Sequence, residues 1–193
     1  MILEAAASVF LEHGAGASTA RIAERAGISE GILFKRFKTK EALFEAAMIA
    51  DAGSDQWRKV LLDSVGKGSP HENLKNAILG LCEKLEKLIP KLMVRDGQGA
   101  RRPPPSATKS PPLEDAAAIA RYLKRETKCG RLQIAQCDLH AHEIVGAVAH
   151  YAMMMFRHET KICSKERLAK HLADVHLRES RDLFAEEKRT KKL

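Results

Sequence analysis

The 193-residue sequence predicts an all-α chain, with an N-terminal three-helix helix–turn–helix module followed by a larger helical domain. Three observations carry that prediction. Apolar residues recur at spacings of three and four along most of the chain, and no stretch alternates as a half-buried strand requires. Gly27 and Ser29 stand between two short helical patterns, one suited to a tight turn and the other to a fresh helix start. Within residues 31–40, four side chains are basic (Lys35, Arg36, Lys38, Lys40) and none is acidic, which concentrates positive charge on and just after the second pattern.

Each element follows from its own residues. Ile2, Leu3, Ala6, Val9 and Phe10 share one face of a helix over 2–13, and Gly14 suits the left-handed stop after it. The Gly-Ala-Gly-Ala segment then leads to Ser18 and Thr19. Either hydroxyl can cap a second helix over 19–26 that buries Ile22, Ala23 and Ala26. Gly27 supplies the turn, and Ser29 caps a third helix over 29–36 whose inner face is expected to be Ile32 and Leu33, with Phe37 one turn beyond. Thr39 caps a fourth helix, with Glu41 in its first turn where the helix dipole favours an acid. This helix is expected to run from 40 to 65 through Leu43, Phe44, Ala47, Trp57 and Leu61, until Gly-Lys-Gly-Ser-Pro at 66–70 breaks it. A fifth spans 71–89 on a stripe of Leu74, Ile78, Leu81, Leu85 and Leu88. Pro90 lacks the amide hydrogen that the next turn requires and is expected to end or kink it.

Five of the seven prolines fall within 103–112, so the loop over 97–112 reads as extended and poorly helical. Helical patterning resumes at 113–128 and stops near Gly130. It returns at 138–160 and at 164–186, before a charged tail.

Composition narrows the class. Hydrophobic residues make up 45% of the chain but aromatics only 5%, which suits helices packed through Leu, Ala, Ile and Met. The formal charge of +8 favours acidic partners, yet residues 1–48 hold six basic and six acidic side chains and are neutral overall. The N-terminal module is therefore polarised rather than basic. Residues 101–131 carry eight basic and three acidic side chains, which fits either an anionic effector or a solvated surface. Four widely spaced cysteines without a Cys-x-x-Cys pair argue for reduced thiols rather than a disulfide framework. No signal peptide and no apolar run of membrane-spanning length is present, so a soluble cytoplasmic protein without membrane partners is expected.

Residues 2–46 contain Ile2-Leu3-x-Ala5-Ala6, Phe10, Gly14, Ser18-Thr19, Ile22-Ala23, Ala26-Gly27-Ile28-Ser29-x-Gly31-x-Leu33-Phe34, Phe37 and Lys40-Glu41-x-Leu43. This stretch resembles the DNA-binding module of the TetR/AcrR family of bacterial transcriptional regulators. The resemblance implies a DNA-binding domain over 1–46 and a helical effector-binding and dimerisation domain over 47–193. It implies a repressor that binds a palindromic operator on double-stranded DNA as a homodimer, needs no cofactor, and is released by a small-molecule effector. Three features depart from the pattern: Phe34 stands where the family usually has tyrosine, Ala15 where an aromatic residue is frequent, and Met1 leads almost directly into the first helix where many relatives carry a basic arm.

The resemblance puts Thr19, Lys35 or Arg36, and Lys40 near the phosphate backbone, with Ser18 beside Thr19 at a helix start suited to anions. Base reading falls to the outer side of the third helix, at Ser29, Glu30, Gly31, Lys35 and Arg36. Glu30 either accepts from a cytosine amine or only stabilises its first turn. Lys35 or Arg36 either donates to guanine or belongs to a solvated face, and Gly31 allows close backbone approach. Phe34 either stacks against sugar or a thymine methyl or serves packing alone.

An effector pocket is expected among the fourth to eighth helices, with Trp57, Leu81, Leu85, Tyr122 and Met154 as candidate lining, each of which also suits a plain core. The last two helices are the candidate dimer interface, through Ile144, Val148, Ala152 and Phe156 on one and Leu168, Leu172 and Val175, with Leu183 beyond, on the other. No metal site is expected: His140 and His142 splay apart on a helix, and His171 and His176 stand five apart rather than three or four. No phosphate-binding loop, nucleophile elbow or paired catalytic signature supports an enzyme. The rival reading is a helical interaction or architectural DNA-binding protein without a small-molecule inducer.

Overall fold

The computed structural model describes residues 1–50, 54–97, 111–157 and 163–178. Among them are nine α-helices and no strand: α1 (Ile2–His13), α2 (Thr19–Ala26), α3 (Glu30–Phe37), α4 (Lys40–Ile49), α5 (Gln56–Asp63), α6 (Pro70–Gly97), α7 (Pro111–Lys128), α8 (Cys137–Phe156) and α9 (Lys165–His176). The chain divides into two compact units, one of Met1–Gly53 with Glu86–Pro103 and one of Ser54–Leu85 with Pro104–Leu193. None of the four cysteines forms a disulfide.

The first unit is organised by α1. Its Ala6, Val9 and Phe10 are buried in a cluster with Ala17, Ile22, Leu33, Leu43, Phe44, Ala47 and Met48. Phe10 meets Phe44 edge to face, with ring centroids 5.0 Å apart. On the outer side, Arg25 of α2 grips α1 by donating to both carboxylate oxygens of Glu12, at 2.5 and 3.1 Å, and to the Ser8 hydroxyl at 2.7 Å. Arg25 first, and Ser8 second, hold the Glu12 carboxyl below the usual carboxylate range. The end of α6 belongs to this unit, with Val94 against the cluster, Arg95 paired with Glu45 at 3.5 Å, and Lys91 donating to the Ala50 carbonyl.

The second unit packs α5 and α8 against α7. Gly80 on α6 is required by contact: a Cβ built there would stand 2.5 Å from Cβ of Trp57. Tyr122 is fully buried, accepts from Asn73 Nδ2 at 3.3 Å and donates to the Pro70 carbonyl at 3.5 Å. Burial pushes its phenol up to about 12. Asp115 is also fully buried and accepts from Arg58 Nε at 2.7 Å and from Lys84 Nζ at 2.9 Å, so one carboxylate serves two cations, of which Lys84 is itself buried.

The structure corrects four expectations. The helix expected over 40–65 is two helices, α4 and α5, because Ala50 turns to an extended conformation and the Ser54 hydroxyl caps a new start by accepting from the Gln56 amide at 3.1 Å. The helix expected over 71–89 continues through Pro90 to Gly97, so of the two outcomes expected at Pro90, an end or a kink, the end does not occur. Helix α8 ends earlier than its periodicity suggests, at Phe156 with Arg157 as its cap, while 158–160, 179–186 and most of the proline-rich loop lie outside the described residues. Finally, Ile32 does not face inward, since it is 52% exposed beside a buried Leu33.

Candidate nucleic-acid interface

The turn before α3 is set by local geometry. Gly27 adopts the left-handed conformation (φ 67°, ψ 33°), and the Ile28 amide reaches back to the Ala23 carbonyl at 3.0 Å. This is the closure in which glycine avoids the Cβ strain of other residues. Ser29 then starts α3, its hydroxyl accepting from the Ile32 amide at 3.3 Å. Thr39 starts α4 in the same way, accepting from the Ala42 amide at 3.0 Å. Ser18 stands at the start of α2 but makes no side-chain capping bond, so its hydroxyl is not committed to the helix.

Of the eight residues of α3 only Leu33 is buried. Leu33 and the half-buried Phe37 anchor the helix to the core cluster, and its other residues face outward. Glu30, Gly31, Ile32, Phe34, Lys35 and Arg36 are all exposed, as is Ser29 before them. Phe34 keeps 39% of its surface in solvent. Arg36 lies over the Phe37 ring at 5.7 Å. Lys40 and Thr19 are half-buried at the first positions of α4 and α2. Lys38 closes α3 with a positive φ of 64°, and the Thr39 amide bonds the Phe37 carbonyl across it at 2.7 Å. That tight three-residue turn is strained for a residue with a side chain.

The arrangement has the chemistry that major-groove reading requires. An exposed helix carries an acceptor (Glu30), cationic donors (Lys35, Arg36) and apolar groups (Ile32, Phe34) around a glycine that lets the backbone approach. Lys38 and Lys40 add charge at its far end. Ile32 and Lys38 are the two residues that the sequence reading left out of the site. The signal for Lys38 lay in the basic run, whereas Ile32 was hidden by its equivalence to Leu33 in hydrophobicity.

The effector candidates all lie in the second unit. Trp57, Leu81, Leu85 and Tyr122 are buried in the core, and Met154 is half-buried. Trp57 is the suggestive one, because its indole Nε1–H is buried with no acceptor among the described residues. A separate cleft of about 490 Å³ is lined by Arg58, Leu62, Leu113, Glu114 and Arg121 with two alanines between them.

Of the dimer candidates, Ile144, Val148, Ala152 and Leu172 are buried within the chain's own packing. Phe156 and Leu168 are half-buried and Val175 is 43% exposed, while Leu183 lies outside the described residues. Leu139 of α8, which sequence reasoning did not select, is also exposed. The sequence offered no metal set among the histidines. That expectation considered spacing within one helix, whereas His140 and His176 meet between α8 and α9. No helix among the described residues is long and apolar enough to cross a membrane.

Residues 2–47 match the family described as "Bacterial regulatory proteins, tetR family". The fold is that of solved TetR-family transcriptional regulators. One from Mesorhizobium loti is 22% identical, with a TM-score of 0.67 over 91% of this chain and 93% of that one. PfmR from Thermus thermophilus is 20% identical, with a TM-score of 0.64 over 92% and 97%. The fatty acid degradation regulator FadR from Bacillus halodurans is 17% identical, with a TM-score of 0.57 over 91% and 92%. No curated protein matches the sequence at a significant level.

Proposed function

We propose that this chain, with its tetR-type helix–turn–helix and the fold of those regulators, is a cytoplasmic DNA-binding repressor that reads a palindromic operator as a homodimer. The single observation that carries this reading is α3: with Leu33 buried and Phe37 packed against the core, its Glu30, Gly31, Ile32, Phe34, Lys35 and Arg36 are all exposed. Glu30, Lys35, Ile32 and Phe34 are the base-reading set. Ser18, Thr19, Arg36, Lys38 and Lys40 hold phosphates, which fix register without carrying sequence information.

One such helix covers too few base pairs for tight binding, and two-fold pairing with half-sites about one helical turn apart, or a multiple of that, solves this. With Ile144, Val148 and Ala152 enclosed in the core, the pairing face of α8 and α9 is their outer side, around Leu139, Leu168 and Val175. Release follows when a small molecule binds the second unit and prefers the arrangement in which the two reading helices do not fit the operator. The unpaired Trp57 indole and the cleft beside Arg58 and Arg121 support that unit as the effector's location.

The test is selection of genomic fragments by the purified protein, with the mass of the complex measured in solution. A few palindromic promoters bound by two chains are expected. A monomer that retains no fragment in dilute buffer would overturn the proposal, and diffuse enrichment along the genome would favour an architectural protein instead.

A further inference from the structure

We infer that His140, Glu143 and His176 form a binding site for a divalent first-row transition metal, with zinc the best fit, joining α8 to α9. One ligand atom from each residue can be chosen so that all three lie within 4.8 Å of one another. The Nδ1 atoms of His140 and His176 face each other at 2.8 Å, their rings perpendicular with centroids 5.1 Å apart. Glu143 Oε2 stands 3.6 Å from Nδ1 of His176. His140 and Glu143 are three apart on α8 and so share a face. His176 comes from the end of α9 and is buried, whereas His140 is half-buried and the Glu143 carboxylate is open to solvent.

Two imidazole nitrogens at hydrogen-bond distance cannot both carry a proton on the facing atoms, so at least one Nδ1 presents a lone pair. A tetrahedral metal with bonds of about 2.0–2.1 Å holds two such nitrogens about 3.3 Å apart. The observed pair therefore needs to part by only about half an ångström, which lies within small side-chain adjustment. Two neutral nitrogens and one carboxylate oxygen suit Zn²⁺, Co²⁺ or Ni²⁺ rather than the all-oxygen shells of Mg²⁺ or Ca²⁺. Three protein ligands leave one coordination position, which water supplies from the exposed Glu143 side. Metal sites built from side chains on facing helices are a recurrent feature of helical bundles. A separate histidine–carboxylate contact of α9 joins Asp174 to His71 at 2.8 Å.

The bland alternative is a neutral histidine pair that only hydrogen-bonds the two helices. The two readings differ in solution. The full chain is stripped with a chelator, then titrated with Zn²⁺ by calorimetry and with Co²⁺ by visible absorption. The inference expects one metal per chain, a cobalt spectrum of low coordination number, and a rise in melting temperature on adding zinc. Since loss of even an outer-shell partner typically weakens binding about 10–100-fold, His140→Ala and Glu143→Gln should each weaken it at least tenfold. His142→Ala, an exposed neighbour on α8, should leave affinity unchanged. Both ligand variants alter side chains that are not fully buried, so folding is checked by circular dichroism and expected to persist. Absence of binding, or zinc affinity that survives His140→Ala because thiols hold the ion, would overturn the assignment. Neither outcome bears on DNA binding, which is read separately.

Discussion

Truncating Leu33 to alanine should loosen α3, while truncating its neighbour Ile32 should leave the helix in place. Leu33 is 1% exposed and closes the cluster of Phe10, Ile22, Leu43 and Phe44. Removing three of its carbons forfeits their burial and leaves a cavity that the surrounding helices fill only in part, at a cost of about 3 kcal/mol. For a chain of this size that lowers the melting temperature by roughly 6–12 °C. Ile32 keeps half its surface in water, so Ile32→Ala should cost less than about 1 kcal/mol. The effects on DNA run differently. Leu33→Ala weakens binding to every sequence, because apparent affinity falls with the fraction of competent α3 and a dimer needs two. Ile32→Ala weakens binding mainly where a thymine methyl is read. Amide exchange of α1–α4 measures the first effect, and binding to operator variants measures the second. Should Ile32→Ala prove the destabilising change and Leu33→Ala the mild one, α3 would be turned by about 100° from the orientation described, one residue of helical rotation.

Three further outcomes are expected. Lys40→Ala should weaken binding to all sequences and flatten the log–log salt slope by about two per dimer, since each lost phosphate contact removes close to one from the slope; an unchanged slope would remove Lys40 from the contacts. Asp115→Ala should destabilise the second unit by about 3 kcal/mol in urea unfolding, the low end for a broken buried pair, because Lys84 and Arg58 lose a shared buried carboxylate but keep the exposed Asp55 in common; a loss under about 1 kcal/mol would mean the Asp115 carboxylate contributes little. Tyr122, with its phenol raised to about 12 in the fold, carries stability that is present below the ordinary value near 10 and is lost as pH rises from there toward the raised one. Wild type should therefore lose about 1 kcal/mol more than Tyr122→Phe between roughly pH 9 and pH 11, and identical alkaline profiles would contradict the buried phenol.

The N-terminal module was legible because each boundary has its own chemical mark. Gly14 and Gly27 end helices in backbone conformations with positive φ, and Ser29 and Thr39 cap the next ones with hydroxyls, so the ends of α1 and α2 coincide with the expected residues. Ile32 misled because an eight-residue helix offers too few turns for periodicity to separate adjacent apolar positions. Beyond Ile49 the reading joined two helices, since Trp57 and Leu61 continue the stripe of Leu43 and Ala47 across the break. At Pro90 the local rule allowed an end or a kink, and the helix runs on into contacts from Lys91 to Arg95 that no local rule contains. The histidine pair was out of reach for the same reason, as 36 positions separate partners whose meeting depends on how α8 and α9 pack.

The strained link at Lys38 has a consequence for how this position responds to selection. Glycine there would relax the backbone and, by the usual scale of such relief, add up to about 1 kcal/mol of stability. It would also delete one cation from the end of the reading helix. A screen for heat resistance alone should drift toward glycine at position 38, whereas a screen for operator occupancy should retain lysine. Which residue accumulates would reveal whether that awkward corner is tolerated for the sake of DNA binding.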